Sequence, residues 1–270
     1  MTGDNKTVNL EFDLPAQPQS LVKLAALLRE DDINLNAVSA LIEADMSFAA
    51  AVMKAVNSPL YGLKGRVQSV QQAVTYLGVR EISGIAYETG LQAAFPQVPQ
   101  LVAIWERASV RGLLMGRLAQ ALSMEAWGAH TAGLFEECGK AVLYKHAPAV
   151  YAPMLAAAAD DVALVELERQ AFGVSHDEVG ARLCDAWGLA PAAVASVRHH
   201  VGIQSSLRLP RVSHRYICVL SALAHTITND PEQLDDVAMK LAPQAMLDQS
   251  SLLRGLHRVK DKIDEAIANG

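Results

Sequence analysis

The chain has 270 residues, 51% hydrophobic, 19% charged and 5% aromatic, with a formal net charge of −6. That length holds one large domain or two modest ones with a real core, the apolar content excludes a disordered chain, and the negative balance gives no general reason to bind nucleic acid. No apolar run reaches the roughly 18 residues of a membrane helix, the start MTGDNKTVNLEFDLP lacks the pattern of a signal peptide, and three scattered cysteines (Cys138, Cys184, Cys218) argue against a disulfide framework or cysteine zinc site and fit a reducing cytosol.

Period-two alternation of β-branched residues is nearly absent and aliphatic residues recur at helical spacing, so the sequence predicts an all-α protein. Residues 1–13 are polar and read as a flexible N-terminus. After Leu14-Pro15 and Pro18, a first helix places Leu21, Leu24, Ala25 and Leu28 on one face. Asn34 or Asn36 caps the next, and Asp45 a third that turns Ala49, Val52, Met53 and Val56 inward. Asn57-Ser58-Pro59 stops it, because a residue before proline avoids helical geometry, and Gly62 and Gly65 keep a loop in which the Asn57 amide is expected to tie down the chain. Ser69 opens another helix, Gly78 breaks it, and a helix from Glu81 to Phe95 follows. Pro96 to Pro99 marks a boundary between an N-terminal helical lobe, 14–96, and a C-terminal one, 100–270.

The second lobe opens with a helix over 101–122 whose Val110, Leu113, Leu114, Leu118 and Leu122 form the inward face. One short apolar helix is expected over 132–144, a turn bracketed by Pro148 and Pro153, and a helix carrying Leu164 and Leu167. Ser175 and Glu178 have the spacing of a capping box. Gly188 ends that helix, and Pro191 opens one expected to stop at Gly202. Ser213 is expected to cap a long apolar helix through Ile227. The last helix, 251–267, aligns Leu252, Leu256, Val259 and Ile263; its charged face (Arg254, His257, Arg258, Lys260, Lys262 with Asp261, Asp264, Glu265) suits either docking on the core or pairing with a partner helix.

Four stretches together resemble an HDOD domain, a branch of the HD phosphohydrolase superfamily: LPAQPQSLVKLAALL at 14–28, Ala55-Val-Asn-Ser-Pro-Leu-Tyr-Gly62, SVQQAVTYLG at 69–78, and Gly133-Leu-Phe-Glu-Glu-Cys-Gly-Lys140. The resemblance covers roughly 14–225. It implies a helical fold and a signalling or regulatory output module, often fused in relatives to receiver or cyclic-nucleotide enzyme domains, for which this chain has no room. It also implies where metal ligands of HD enzymes would fall. Such enzymes use neutral imidazoles and carboxylates to hold divalent ions that lower the pKa of a bound water and clamp phosphate. Here the first histidine falls near Arg107, which stays protonated and cannot ligate. Glu136-Glu137 replaces the His-Asp pair, and His225 stands near the closing aspartate. His176 and the pair His199-His200 remain, with Val201 where a glutamate is expected. The favoured expectation is that Arg107 neutralises Glu136 or Glu137 in place of a metal, so that the site has no cofactor and no catalytic residue. The competing one is a hard-ion site of Glu136, Glu137, His176 and His199.

Other features carry less. Neighbouring helical residues point about 100° apart, so one of His199 and His200 is expected buried and the other exposed. No acidic residue occurs from Ala186 to Asn229, while Arg198, Arg208, Arg211 and Arg215 do. That region offers an anion site for a phosphate, a cyclic dinucleotide or an acidic partner, or more simply a solvated loop whose arginines pair with glutamates elsewhere. The helices around 34–58 mimic a helix-turn-helix, but the second exposes only Lys54, so nucleic acid is not the expected partner. No nucleophile elbow or Walker loop is present, and Cys138 reads as core packing. The sequence therefore points to a cytoplasmic, bacterial-type regulatory module acting through a signalling protein partner or a nucleotide-type anion. The alternatives are a divergent metal-dependent phosphohydrolase and a DNA-binding regulator.

Overall fold

Caps and breakers set the first helices. In a computed structural model that describes residues 13–28, 30, 32–57 and 66–268, every regular element among the described residues is helical. Helices α1 (Gln19–Leu27), α2 (Leu35–Ala44), α3 (Met46–Val56), α4 (Val70–Leu77) and α5 (Val79–Ala93) form the first group. Asn34 accepts from the Ala37 amide at 3.0 Å, Asp45 from Ser47 at 2.9 Å and Ser69 from Gln72 at 3.1 Å, each such cap being worth about 1 kcal/mol. α3 ends before Pro59 as expected, and the Asn57 amide donates to the Met53 carbonyl at 2.8 Å; the expected loop through Gly62 and Gly65 lies outside the described residues. No single helix among the described residues is long and apolar enough to cross a membrane.

The second group is α6 (Pro99–Ala121), α7 (Ala126–Phe135), α8 (Cys138–His146), α9 (Pro148–Ala157), α10 (Asp161–Phe172), α11 (His176–Ala186), α12 (Pro191–Ser206), α13 (Arg215–Asn229), α14 (Leu234–Leu241) and α15 (Gln249–Ala268). Six expectations change here. The apolar stretch 132–144 is two helices, broken at Glu136-Glu137 because both carboxylates turn inward to buried cations. Pro153 lies inside α9 rather than in a turn; it and Ala149, whose carbonyl loses its partner, are both exposed, so water can serve the vacated acceptor. No capping box forms at α11: the Ser175 hydroxyl donates to Asp177, and Glu178 pairs instead with Arg169 at 3.1 Å. α12 runs through Gly202 to Ser206, held by buried Val201 and Ile203, and ends at Leu207 in the left-handed region. α13 starts after His214, with no cap from Ser213. On α6, Val110 is exposed and Arg111 occupies the buried position beside it.

One apolar cluster runs from Leu21 to Val197, across the Pro96–Pro99 connection, and includes Trp105, Phe135 and Trp187. The Trp187 indole donates to the Pro15 carbonyl at 2.8 Å, pinning the extended segment before α1 to the end of α11. A second cluster joins the latter half of α6 to α13, α14 and α15, so the last helix docks on the core through Leu252, Leu256 and Val259. Backbones approach closely at two glycines. A Cβ on Gly133 would lie 2.7 Å from the Arg111 carbonyl oxygen, and one on Gly139 would overlap the carbonyl of His176. These contacts set α7 against α6 and α8 against α11.

His130, on α7, stacks on Trp127 with ring centroids 6.0 Å apart and turns its enclosed Nε2 towards Gly84 of α5. Burial holds its pKa down at about 4, against an ordinary 6.5. A folded-state value below the unfolded one means that neutral His130 favours the fold above pH 6.5 and that this contribution is lost as pH falls towards 4, at up to about 1.4 kcal/mol per pH unit. Denaturant titrations across that window will show the slope, and His130→Asn will flatten it. Gly139→Ala will cost about 1–3 kcal/mol by overpacking, whereas Gly202→Ala, with open space around its Cα, will stabilise α12 by about 0.5–1 kcal/mol; chemical denaturation distinguishes the two.

Candidate functional site

The break between α7 and α8 buries Glu136 and Glu137 completely. Opposite them α6 presents Arg107 and Arg111, one helical turn apart and therefore on one face. Arg111 is only 4% exposed. Its Nη1 lies 3.2 Å from Glu136 and 3.4 Å from Glu137, and its Nη2 3.5 Å from Asp161 and 3.3 Å from His225 Nδ1. Lys140, one turn along α8 from Glu137, donates to Glu137 at 2.8 Å and to Asp161 at 2.7 Å. Arg107, half-exposed, adds bonds of 3.1 and 3.3 Å to Glu137. Ser196 of α12 donates to the other end of the pair, Glu136, at 2.9 Å. Three cations thus face three carboxylates.

The electrostatics follow. Burial alone would push the Glu137 carboxyl up, but Lys140 and Arg111 outweigh it and hold it at about 2. Asp161, the first residue of α10, is likewise opposed by burial and held well below the usual carboxylate range by Lys140, His176 and Arg111. His225 moves the other way: burial and then the Arg111 charge lower it to about 4. Its Nδ1 accepts from Arg111 and from Asn229 at 3.2 Å, which places its proton on Nε2.

One layer deeper sit His176 of α11 and His200 of α12, both without exposure. Glu168 of α10 accepts from the His176 amide at 2.7 Å and from its Nδ1 at 2.8 Å, and also from the Tyr151 hydroxyl. His200 Nδ1 donates to the Val197 carbonyl at 2.7 Å. Both Nε2 atoms are buried without a hydrogen-bond partner. Together with Asp161 these histidines offer three ligand atoms within 4.8 Å of one another. A cleft of about 580 Å³ opens over this assembly, with Arg107, Arg111, Lys140, Asp161 and His225 among its polar groups and Val110, Leu155 and Leu164 among its apolar ones.

Among the residues singled out from sequence, Arg107, Glu136, Glu137 and His225 converge here, and His176 and His200 lie behind Asp161. His199 does not join them. It is partly buried on the other side of α12, its pKa lowered by burial and by the Arg198 charge, which is the one-buried, one-outward division expected of neighbours on a helix. A hard-ion set using His199 is therefore replaced by one using His200. Arg198, Arg208 and Arg211 are exposed, and Arg215 donates to the Gln244 carbonyl at 3.0 Å rather than to a carboxylate; none of the four lines the cleft. Arg107 does pair with Glu137, but sequence reasoning missed the fully buried partners. Arg111 and Lys140 were visible as the i+4 and i+3 neighbours of Arg107 and Glu137. Asp161 carried no local signal.

The positions that HD enzymes use for their ions do not fit a metal pair here, since Arg111 and Lys140 occupy the space between the carboxylates. The deeper trio, with two orphaned imidazole nitrogens and a carboxylate, does fit one ion. Breaking the buried network should be costly and trimming its rim cheap: Arg111→Met leaves Glu136 uncompensated and is expected to cost about 3–5 kcal/mol, while Arg107→Ala, at a half-exposed pair, costs about 1 kcal/mol or less. Urea midpoints at neutral pH measure both.

Comparison with known proteins places this site. The sequence profile described as HDOD domain matches residues 14–203. An uncharacterized protein of Treponema pallidum (strain Nichols) is 26% identical over 219 residues, which cover 78% of this chain and 41% of that protein, so the chain spans less than half of its curated relative. In structure it is similar to a Shewanella amazonensis protein provisionally named a phosphohydrolase (TM-score 0.68, 22% identity, covering 94% of this chain and 95% of that one). It is similar also to a Marinobacter aquaeolei protein provisionally named a signal transduction protein (TM-score 0.71, 21% identity, covering 95% and 59%). These likenesses establish the fold.

Proposed function

The chain belongs to the HDOD domain family, and on that premise we propose that it is a cytoplasmic, bacterial-type regulatory module that binds a signalling protein or a small anion and does not hydrolyse phosphodiesters. The observation that carries this reading is the placement of Arg111 and Lys140 on Glu136, Glu137 and Asp161. Phosphodiester hydrolysis by a metal pair needs cations that shed charge onto a bound water and onto phosphate. A guanidinium holds its protons throughout the physiological range and offers no lone pair. Here the neutralising charge is built into the side chains, and an incoming metal pair would have to displace it. The cleft remains open, with the half-exposed Arg107 among its polar groups, a position from which it can trade Glu137 for an anionic ligand.

A second reading, a divergent metal-dependent phosphohydrolase, is favoured by the Asp161, His176 and His200 set. Binding DNA has less behind it, because α3 presents Lys54 as its only cation. Assay of the purified chain on a generic phosphodiester such as bis(p-nitrophenyl) phosphate, with Mn2+, Zn2+ or Mg2+ added, is expected to give no hydrolysis above the metal blank. Metal-dependent turnover that Glu136→Ala with Glu137→Ala abolishes would establish the hydrolase instead. A pull-down from the native host at mild salt is expected to retain a specific protein.

A further inference from the structure

We propose that the surface formed by the α12–α13 connection and the turn after α14 docks an acidic segment of a partner protein, its cations receiving the carboxylates and Met246 an apolar side chain. The inference rests on the regulatory reading, and gives the partner a chemistry and a face away from the cleft. Its first support is the way cations are gathered there. Gln244 clasps the connection: its Oε1 accepts from the Leu209 amide at 2.9 Å, and its Nε2 donates to the carbonyls of Leu207 and Lys240, each at 3.0 Å. Its own carbonyl accepts from Arg215 Nη1 at 3.0 Å. One residue thus draws together Lys240, Arg215 and Arg208, which lies between Leu207 and Leu209, and Arg211 stands one turn further along the same connection.

The second support is that these charges are uncommitted. Arg208, Arg211 and Lys240 are exposed, and none of them forms an ion pair among the described residues. No acidic residue occurs from Ala186 to Asn229. The acid nearest Met246 along the chain, Asp248, accepts from the Ser251 amide at 2.8 Å and so belongs to the start of α15. In a chain of net charge −6 this face is a local reversal of sign, which steers an acidic partner towards it. Guanidinium groups match carboxylates through paired hydrogen bonds, and arginine is enriched where proteins meet.

The third support is an apolar side chain left in water close to the clasp in sequence. Met246 is 90% exposed, and methionine adapts to varied apolar surfaces. Its backbone, like that of Leu207, is in the left-handed region, which non-glycine residues seldom adopt. Hydrogen bonds hold both in place, from the Met246 amide to the Pro243 carbonyl at 3.2 Å and from the Leu207 amide to the Ile203 carbonyl at 2.8 Å. A face fixed in advance loses less freedom when a partner binds. A free phosphate or a nucleic-acid backbone would engage the cations and leave Met246 idle, so the combination favours a protein segment. The face begins beyond residues 14–203, the span of the HDOD profile, and is carried by the part of the chain that follows the matched core.

The test uses the full chain and a fluorescein-labelled peptide of Glu-Glu-Leu repeats, followed by fluorescence anisotropy. Wild type is expected to bind it saturably, more tightly than a poly-glutamate peptide of equal charge, and less tightly as salt rises. Arg208→Glu combined with Arg211→Glu, both at exposed positions and checked by circular dichroism, is expected to weaken binding at least about tenfold. Met246→Ser is expected to weaken the Glu-Glu-Leu peptide at least about threefold and poly-glutamate not at all. In the native host, benzoylphenylalanine introduced at Met246 is expected to crosslink a protein whose captured peptide, sequenced by mass spectrometry, carries acidic residues. No saturable binding, equal binding by the charge-reversed variant, tighter binding of a DNA duplex than of the peptide, or a captured peptide without acidic residues would overturn the surface. The regulatory reading fails separately, on phosphodiesterase turnover by the same samples. A host protein retained equally by wild type and by the charge-reversed variant keeps that reading and removes this surface.

Discussion

Burying Glu136 and Glu137 side by side takes two negative charges out of water, at several kcal/mol for each if nothing compensates. Much of the surrounding architecture is what that compensation requires. Arg111 has to enter the core from α6, which is why the inward face of that helix is turned so that Val110 is exposed and the arginine is not. Lys140 lies one turn beyond Glu137 in the first turn of α8, within reach of its carboxylate. Asp161 has to return from the start of α10 to satisfy the surplus on Arg111 and Lys140. Glu137, Asp161, Arg111 and Lys140 share partners, and among the described residues Glu136 depends on Arg111 alone for a cation, so the cluster is coupled and single deletions do not measure single contacts.

The backbone is built to the same end. Gly133 lets α7 press on the Arg111 backbone and Gly139 lets α8 press on that of His176. These two contacts bring the carboxylate pair into register with the arginine on one side and the imidazoles on the other. The Leu21-to-Val197 apolar cluster and the Trp187–Pro15 hydrogen bond then hold the first helices against this arrangement. The polar centre is buried and held by paired charges, while the cleft above it is lined by the half-exposed Arg107.

What could be read in advance divides along local and non-local lines. The all-helical class, the caps at Asn34, Asp45 and Ser69 and the stop after α3 depend on side chains within a few positions of the backbone they control, and they were legible. The break at Glu136-Glu137 was not, because the stretch 132–144 is continuously suited to helix and the cation that pairs with Glu136, Arg111, comes from another helix. The capping box at Ser175 failed for a related reason: Arg169, on the preceding helix, competes for Glu178. Arg107 was legible from the family pattern. The buried Arg111 required knowing how far α6 is rotated, and the meeting of Asp161 with two histidines from α11 and α12 depends on tertiary packing that no spacing encodes.

The two layers of the polar centre meet their need for positive charge differently. The outer carboxylates draw it from Arg107, Arg111 and Lys140. The inner histidines are under a different constraint. His176 Nδ1 lies against Glu168 and His200 Nδ1 donates to the Val197 carbonyl, while both Nε2 atoms are buried without a hydrogen-bond partner. Lys140, the nearest flexible cation, is already committed to Glu137 and Asp161. Neutralisation of the outer layer therefore leaves those nitrogens as they are, and Asp161, paired with Lys140 and Arg111, is the carboxylate that borders both layers.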